Sequence, residues 1–266
     1  MRISTNVRIK MKRSVLALGM FDGMHLGHQA LLKEAKALAI RSQAALVVCT
    51  FATHPMQLIM PCKSPLMLTT WTERIRLMRI IGADVVYAPV FDDHMMNLSP
   101  EAYIASLCAR FNPCFVVAGY NYSFGKAGCG TPSTLAALGE LYEYQTCITP
   151  QIALDGQETS STAIRVLLSG GEVLKAMRLL GRPYSRQATL QSGEGGVVTL
   201  SFACDGKQSM PLGCYRVILT RNKRHLPATL HLRQEDGRSV LSLGCVPFTG
   251  KTEVLFVAGE RQLDLS

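Results

Sequence analysis

The stretch Gly19-Met20-Phe21-Asp22-Gly23-Met24-His25-Leu26-Gly27-His28 decides the fold. Before it stands an apolar run, Val15-Leu16-Ala17-Leu18, which reads as a buried parallel strand. After it, Gln29 to Leu38 carries apolar residues at helical spacing. The two histidines therefore stand where a strand hands over to a helix, the end of an open α/β sheet at which ligands bind. Gly23 and Gly27 let backbone N–H groups approach a ligand closely, and the helix N-terminus adds partial positive charge suited to phosphate. Two imidazoles at this spacing can donate hydrogen bonds to one anion. Two competing readings are a pair of polar capping residues and a metal pair. No third ligand stands at convincing spacing nearby, and no metal site is expected.

Working outward, residues 14 to about 150 alternate strand-like and helix-like segments. Ala44–Phe51, Val85–Val90 and Cys114–Gly119 read as further buried strands. Helices are expected over Thr70–Ile81, with Thr70 and Glu73 forming a capping box, and from Ser99, with Pro100 in the first turn, to about Phe111. Another is expected over Thr134–Tyr142. Such alternation implies a parallel sheet covered on both faces. Hydroxyl residues in Thr159-Ser160-Ser161-Thr162 lead into a short helix, Ala163–Leu168, and a further helix, Glu172–Leu180, ends in Gly181-Arg182-Pro183-Tyr184. From Arg186 the pattern becomes short β-rich runs separated by turns: Ala188–Gln191, Val197–Ala203, Cys214–Thr220, Ala228–Arg233, Ser239–Leu243 and Thr252–Val257. That spacing suggests a small antiparallel barrel.

Composition bounds the function. The net charge of +9 favours anionic partners, and nucleotides are the economical explanation. Nucleic acid is not expected, because no basic stripe is interleaved with aromatics, and Arg221-Asn222-Lys223-Arg224-His225 reads as a solvated hairpin turn. No apolar stretch reaches the length of a membrane span, and Met1 to Ser14 shows no apolar signal core, so a cytoplasmic protein without membrane partners is expected. Nine cysteines without a C-x-x-C pair argue against a disulfide framework or a zinc ribbon, and read as reduced, mostly buried small hydrophobes.

The decapeptide, written G-x-F-D-G-x-H-x-G-H, resembles the bacterial FAD synthetases, the FMN adenylyltransferase module usually fused to riboflavin kinase, in the HxGH nucleotidylyltransferase superfamily. Downstream blocks agree in order. Thr50-Phe51-Ala52-Thr53-His54-Pro55 is similar to the family's T-F-x-P-H-P, with Ala52 and Thr53 departing from it. Gly119-Tyr120-Asn121-Tyr122-Ser123-Phe124-Gly125-Lys126 resembles G-x-[DN]-[FY]-x-F-G-[KR], and Ser160-Ser161-Thr162-Ala163-Ile164-Arg165 resembles S-S-T-x-[IV]-R.

The resemblance implies a Rossmann-like α/β nucleotidylyltransferase domain over residues 1–185 and a degenerate riboflavin-kinase-like barrel over 186–266. It implies His25, His28, Asn121 and Arg165 as catalytic residues. Gly19, Phe21, Asp22, Gly23, Gly27, Ser161, Thr162 and Arg165 would bind the nucleotide, and Phe51, His54, Asn121, Phe124 and Lys126 the flavin. ATP and FMN would be the substrates, with Mg2+. The kinase's G-x-P-T-A-N block has no counterpart after Leu190, so kinase chemistry is not expected. Three alternatives stay open: transfer to another phosphorylated acceptor, a bifunctional enzyme, and a flavin or nucleotide sensor. A homo-oligomer is left open as well.

Overall fold

The structure is a computed structural model that describes residues 1–4, 11–192, 198–232, 239–242 and 249–261. The chain divides into two compact units, one of Met1–Pro65 with Trp71–Ala153, the other of Leu66–Thr70 with Leu154–Ser266.

The first unit is built on a six-stranded parallel sheet. Its strands are β1 (Arg2–Ser4), β2 (Ser14–Leu18), β3 (Ala45–Cys49), β4 (Val85–Tyr87), β5 (Pro113–Gly119) and β6 (Gln145–Thr149), in the order β1-β4-β3-β2-β5-β6. All five residues of β2 are buried, as expected of a strand paired on both edges and covered on both faces. The pleat sends its side chains alternately to two cores. Val15 and Ala17 pack with Leu32 and Ala35 of α1 (Leu26–Arg41) and with Met78 of α3 (Trp71–Ile81). Leu16 and Leu18 pack with Ile104 and Leu107 of α5 (Pro100–Phe111) and with Leu135 of α6 (Pro132–Tyr142). The doubly covered parallel sheet thus stands as the alternation implied.

Several boundaries differ from the sequence reading, each for a local reason. Helix α1 begins at Leu26, one turn earlier than its apolar periodicity, because the His25 imidazole caps it: Nδ1 accepts from His28 N–H at 3.4 Å. Ser99 caps α5 as expected, accepting from Ala102 N–H at 3.1 Å, with Pro100 in the first turn. Helix α6 starts at Pro132 rather than Thr134, since Thr131 and Thr134 form a capping box. The edge strands β1 and β6 went unread; each pairs along one edge, and β6 has a polar, half-buried sequence. Two single-turn helices, α2 (Met56–Ile59) and α4 (Asp93–Met96), and a two-strand ladder, β7 (Ala153–Leu154) with β8 (Gln157–Glu158), were also unread.

The second unit holds α7 (Ser161–Ser169), α8 (Val173–Leu180) and a closed antiparallel barrel. The barrel strands are β9 (Tyr184–Ser192), β10 (Val198–Phe202), β11 (Gly213–Arg221), β12 (Arg224–Leu232), β13 (Ser239–Ser242) and β14 (Gly250–Arg261). They close in the order β10-β13-β12-β11-β14-β9, since β9 pairs with both β10 and β14. Inward residues such as Leu190, Leu200, Tyr215, Val217, Leu230 and Phe256 fill the interior. Asn222 and Lys223, both with positive φ, make the β11–β12 turn at the basic cluster read as a hairpin. Gly181, with φ 68, ends α8 in the left-handed conformation.

The cysteine reading needs correction. Among the eight described cysteines, which are all free, only Cys49 is buried; Cys62, Cys129, Cys204 and Cys214 are exposed. Cys245 lies outside the described residues. Strand and turn contexts place most of these thiols on outward or loop positions that composition does not distinguish from core. No helix among the described residues is long and apolar enough to cross a membrane.

Candidate active site

The strand order reverses at β2: β3 and β4 lie on one side of it, β5 and β6 on the other. The loops after β2 and β5 therefore diverge, leaving a crevice at the carboxyl ends of the strands. A cleft of about 430 Å³ opens there, within the size range of small-molecule sites. Gly19, Met20, Phe21 and His28 line it from the β2 side, Phe51 and His54 from the loop after β3, and Asn121, Ser123 and Phe124 from the loop after β5.

The β2 loop turns sharply to bring the histidines round. Phe21 has φ 53 and Gly23 φ 77, both left-handed, and Phe21 is fully buried. Gly19 is needed for that ring, since a Cβ there would lie 3.0 Å from Phe21 Cζ. The His28 ring meets Phe21 edge-on at 5.3 Å and stacks on His25 at 3.6 Å with an interplanar angle of 22°. Two stacked, buried imidazoles cannot both carry charge cheaply. His28 is held well below its usual 6.5 by burial first, then by His25 and by Arg74, and so is neutral at pH 7. Its Nδ1 is buried with no hydrogen-bond partner among the described residues. His25 is only 7% exposed; its Nδ1 is committed to the helix cap, which places its proton on Nε2 when the ring is neutral. Burial pushes the Arg74 guanidinium down from its usual range, and the charge of Asp22, buried three residues before His25, partly opposes that shift.

Arg74 was not singled out from the sequence. It is 1% exposed, lies over the Trp71 ring at 5.2 Å, and donates from Nη1 to Met20 O at 3.2 Å and to Phe51 O at 2.9 Å, and from Nη2 to Ala52 O. Thr50 Oγ1 also donates to Met20 O, at 3.0 Å. A basic residue beside Ile75 on an amphipathic helix gives no sequence signal, because exposed arginines such as Arg76 share the same segment.

The flavin candidates divide. Phe51 meets Phe91 edge-on at 5.2 Å, and His54 Nδ1 accepts from Met56 N–H at 3.2 Å at the start of α2. Phe124 lines the cleft but is itself buried, stacked on Tyr122 at 5.5 Å and fastened to Gly130 by backbone bonds of 3.1 and 2.8 Å. Asn121 is exposed at the cleft wall, whereas the exposed Lys126 lies outside the lining, its backbone N–H bonded to Leu98 O at 2.7 Å. His25, Asp22, Gly23 and Gly27 also lie outside the lining. Cys49 lines the cleft as an apolar group, its thiol pushed far up by burial.

In the second unit, Ser160 caps α7 by accepting from Ala163 N–H at 3.1 Å, so Ser161 and Thr162 are the first helical residues rather than part of the entering loop. Arg165 follows on the next turn, and its Nε donates to Leu66 O at 2.6 Å.

A model of the FAD synthetase family matches residues 8–163, more than half of the chain. The chain belongs to that family. This FAD synthetase family member is 34% identical over 189 residues to the bifunctional riboflavin kinase/FMN adenylyltransferase of Listeria monocytogenes, covering 71% of this chain and 60% of the relative. To the protein of the same name in Bacillus subtilis it is 31% identical over 198 residues, 74% of this chain and 62% of the relative. To that of Escherichia coli it is 28% identical over 225 residues, 82% and 72% respectively. The chain thus spans about 60% of the length of the first of these relatives. A solved structure described as a macrolide-efflux protein from Streptococcus pneumoniae matches with a TM-score of 0.82 at 23% identity, over 98% of this chain and 88% of that one. That likeness is one of fold.

Proposed function

We propose that this protein is an FMN adenylyltransferase, transferring AMP from ATP to the phosphate of FMN to give FAD and pyrophosphate. The observation that supports it best is the cleft at the sheet's switch point, which has aromatic walls suited to a flat ring and His28 at the turn into α1. A phosphate oxygen of FMN attacks the α-phosphorus in line, the bond to pyrophosphate breaks, and no covalent enzyme intermediate is needed. The protein's task is then orientation and charge stabilisation. His28, neutral before substrate arrives, offers one N–H; a polyanion nearby favours its protonated form, which offers two. His25 adds its Nε2–H, and Asn121 a donor and acceptor at the cleft wall. The roles of Ser161, Thr162 and Arg165 towards the β- and γ-phosphates, and of Lys126 towards the flavin phosphate, rest on their motifs.

Among the described residues, no group of three or more His, Cys, Asp or Glu side chains could hold a metal ion. In this reading magnesium comes with the nucleotide as Mg-ATP, neutralising phosphate charge. The reading takes 1–185 as the transferase module, 186–266 as a barrel without riboflavin kinase activity, ATP and FMN as the partners, and the cytoplasm as the location. What supports the missing kinase step is the absence of a G-x-P-T-A-N block between Tyr184 and Tyr215.

The test is incubation of the purified protein with Mg-ATP and either FMN or riboflavin, resolving the flavins by chromatography while pyrophosphate is measured. FAD and pyrophosphate from FMN, with riboflavin unchanged, is the expected result. FMN formed from riboflavin would overturn the barrel assignment. Flavin binding without pyrophosphate release would overturn the enzyme.

A further inference from the structure

The same helix that turns Arg76 and Arg79 to solvent buries Arg74 almost completely. A guanidinium removed from water is costly unless its donors are met. Its two Nη groups are met by carbonyls from two different loops, while Nε has no hydrogen-bond partner among the described residues. Nη1 bridges Met20 O at 3.2 Å and Phe51 O at 2.9 Å, while Nη2 takes Ala52 O. Met20 belongs to the loop that runs from β2 to His25 and His28; Phe51 and Ala52 belong to the loop that runs from β3 to His54. Met20 and Phe51 both line the cleft, so a single buried fork joins two of its walls.

We propose that Arg74 is the positioning residue of the cleft, holding the histidine loop and the Phe51–His54 loop at a fixed separation. In terms of the proposed FMN adenylyltransferase, on which the assignment of the walls rests, it sets how the acceptor flavin is presented to the nucleotide phosphates. Lysine cannot replace it, because an ammonium is a compact point donor and cannot span carbonyls on two loops as a planar guanidinium does. Ala52 offers no polar side chain to anchor the second loop, and the carbonyls of Phe51 and Ala52 are the points by which Arg74 holds it. Trp71, the single tryptophan of the chain, lies under Arg74 and reports its placement.

The test compares Arg74→Lys and Arg74→Gln in the full chain with the unaltered protein, well below the melting temperature. It measures kcat and the KM values for ATP and FMN, the His28 ring signals by NMR, and Trp71 fluorescence. A displacement of about 1 Å between reacting groups costs on the order of a hundredfold in rate. Both variants are expected to lose about that much in kcat, with the two KM values little changed and the His28 signals moved. A merely structural arginine would lower the melting temperature and leave kcat and the His28 signals of the folded Arg74→Lys protein as they were; that result overturns the proposal. A loss found wholly in the KM for ATP also overturns it, since Arg74 would then be a phosphate ligand. Should Arg74→Gln fail to fold, Arg74→Lys decides. Should the unaltered protein form no FAD, the assigned reaction fails, while displaced His28 signals in Arg74→Lys would still uphold the positioning role and unmoved ones would remove it.

Discussion

Gly130→Ala probes the cleft without removing any group proposed to touch substrate. Gly130 adopts ordinary negative-φ backbone, so the change is steric rather than conformational. A Cβ built there lies 2.8 Å from Phe124 O and 2.9 Å from two carbons of the Phe124 ring, against the 3.4 Å at which ordinary contact begins. The ring and its strand of backbone must therefore move by about half an ångström. The two backbone hydrogen bonds between Gly130 and Phe124 oppose separation of the strands, and Tyr122 stacks on the ring, so there is little slack. Overpacking of this sort costs about 1–3 kcal/mol. Because Phe124 lines the cleft, part of that cost falls on any flat ligand seated against it. Each 1.4 kcal/mol is tenfold, so a cost borne wholly by binding would raise the Kd for FMN roughly fivefold to a hundredfold. The assay is FMN titration followed by flavin fluorescence, paired with urea denaturation to separate the share borne by folding. ATP binding should change little. An FMN affinity and a denaturation midpoint both equal to those of the unaltered protein would refute the placement of flavin against Phe124.

Three further outcomes are expected. His28→Ala should cut turnover about a hundredfold or more, as loss of one preorganised donor costs about 2.7–4 kcal/mol of transition-state stabilisation; an unchanged kcat would remove His28 from the mechanism. Because His28 is held below 6.5 mainly by burial, the unfolded chain binds a proton that the native protein refuses in the interval beneath 6.5. Its contribution to stability is therefore complete above that value and is lost as pH falls, so urea midpoints should decline from neutral pH to about pH 5, and His28→Gln should flatten that decline. In the barrel, a Cβ at Gly259 would stand 2.2 Å from Tyr215 Cδ1 and 2.9 Å from Cys214 O, so Gly259→Ala should cost more than about 3 kcal/mol, read as a lowered melting temperature.

Much of the site was legible because its chemistry is local. The strand–turn–helix around the two histidines follows from Val15–Leu18, the glycines and the periodicity after Gln29, and the structure places the turn at the carboxyl end of the central strand. What the sequence left open was of another kind. That the Nδ1 of His25 caps α1 and its ring stacks on His28, leaving Nε2 as the nitrogen proposed for a ligand, depends on the backbone conformation at a single residue. That Lys126 stands on the turn beside the cleft and outside its lining depends on the course of the loop after β5. Cysteine burial was misjudged because the residue type leaves open which face of a strand or loop it occupies.

The sequence by itself determined the alternation of buried strands and amphipathic helices, the barrel-like tail, and the loops that carry chemistry, since each is written in residues a few positions apart. Only the tertiary structure decided that β2 is the point where strand order reverses, that the barrel closes through β9, and that an arginine more than fifty residues from Met20 fastens the loop that follows β2. Hydrogen bonds from one side chain to distant backbone carbonyls leave no trace in those partners' identities, because every residue has a carbonyl to offer.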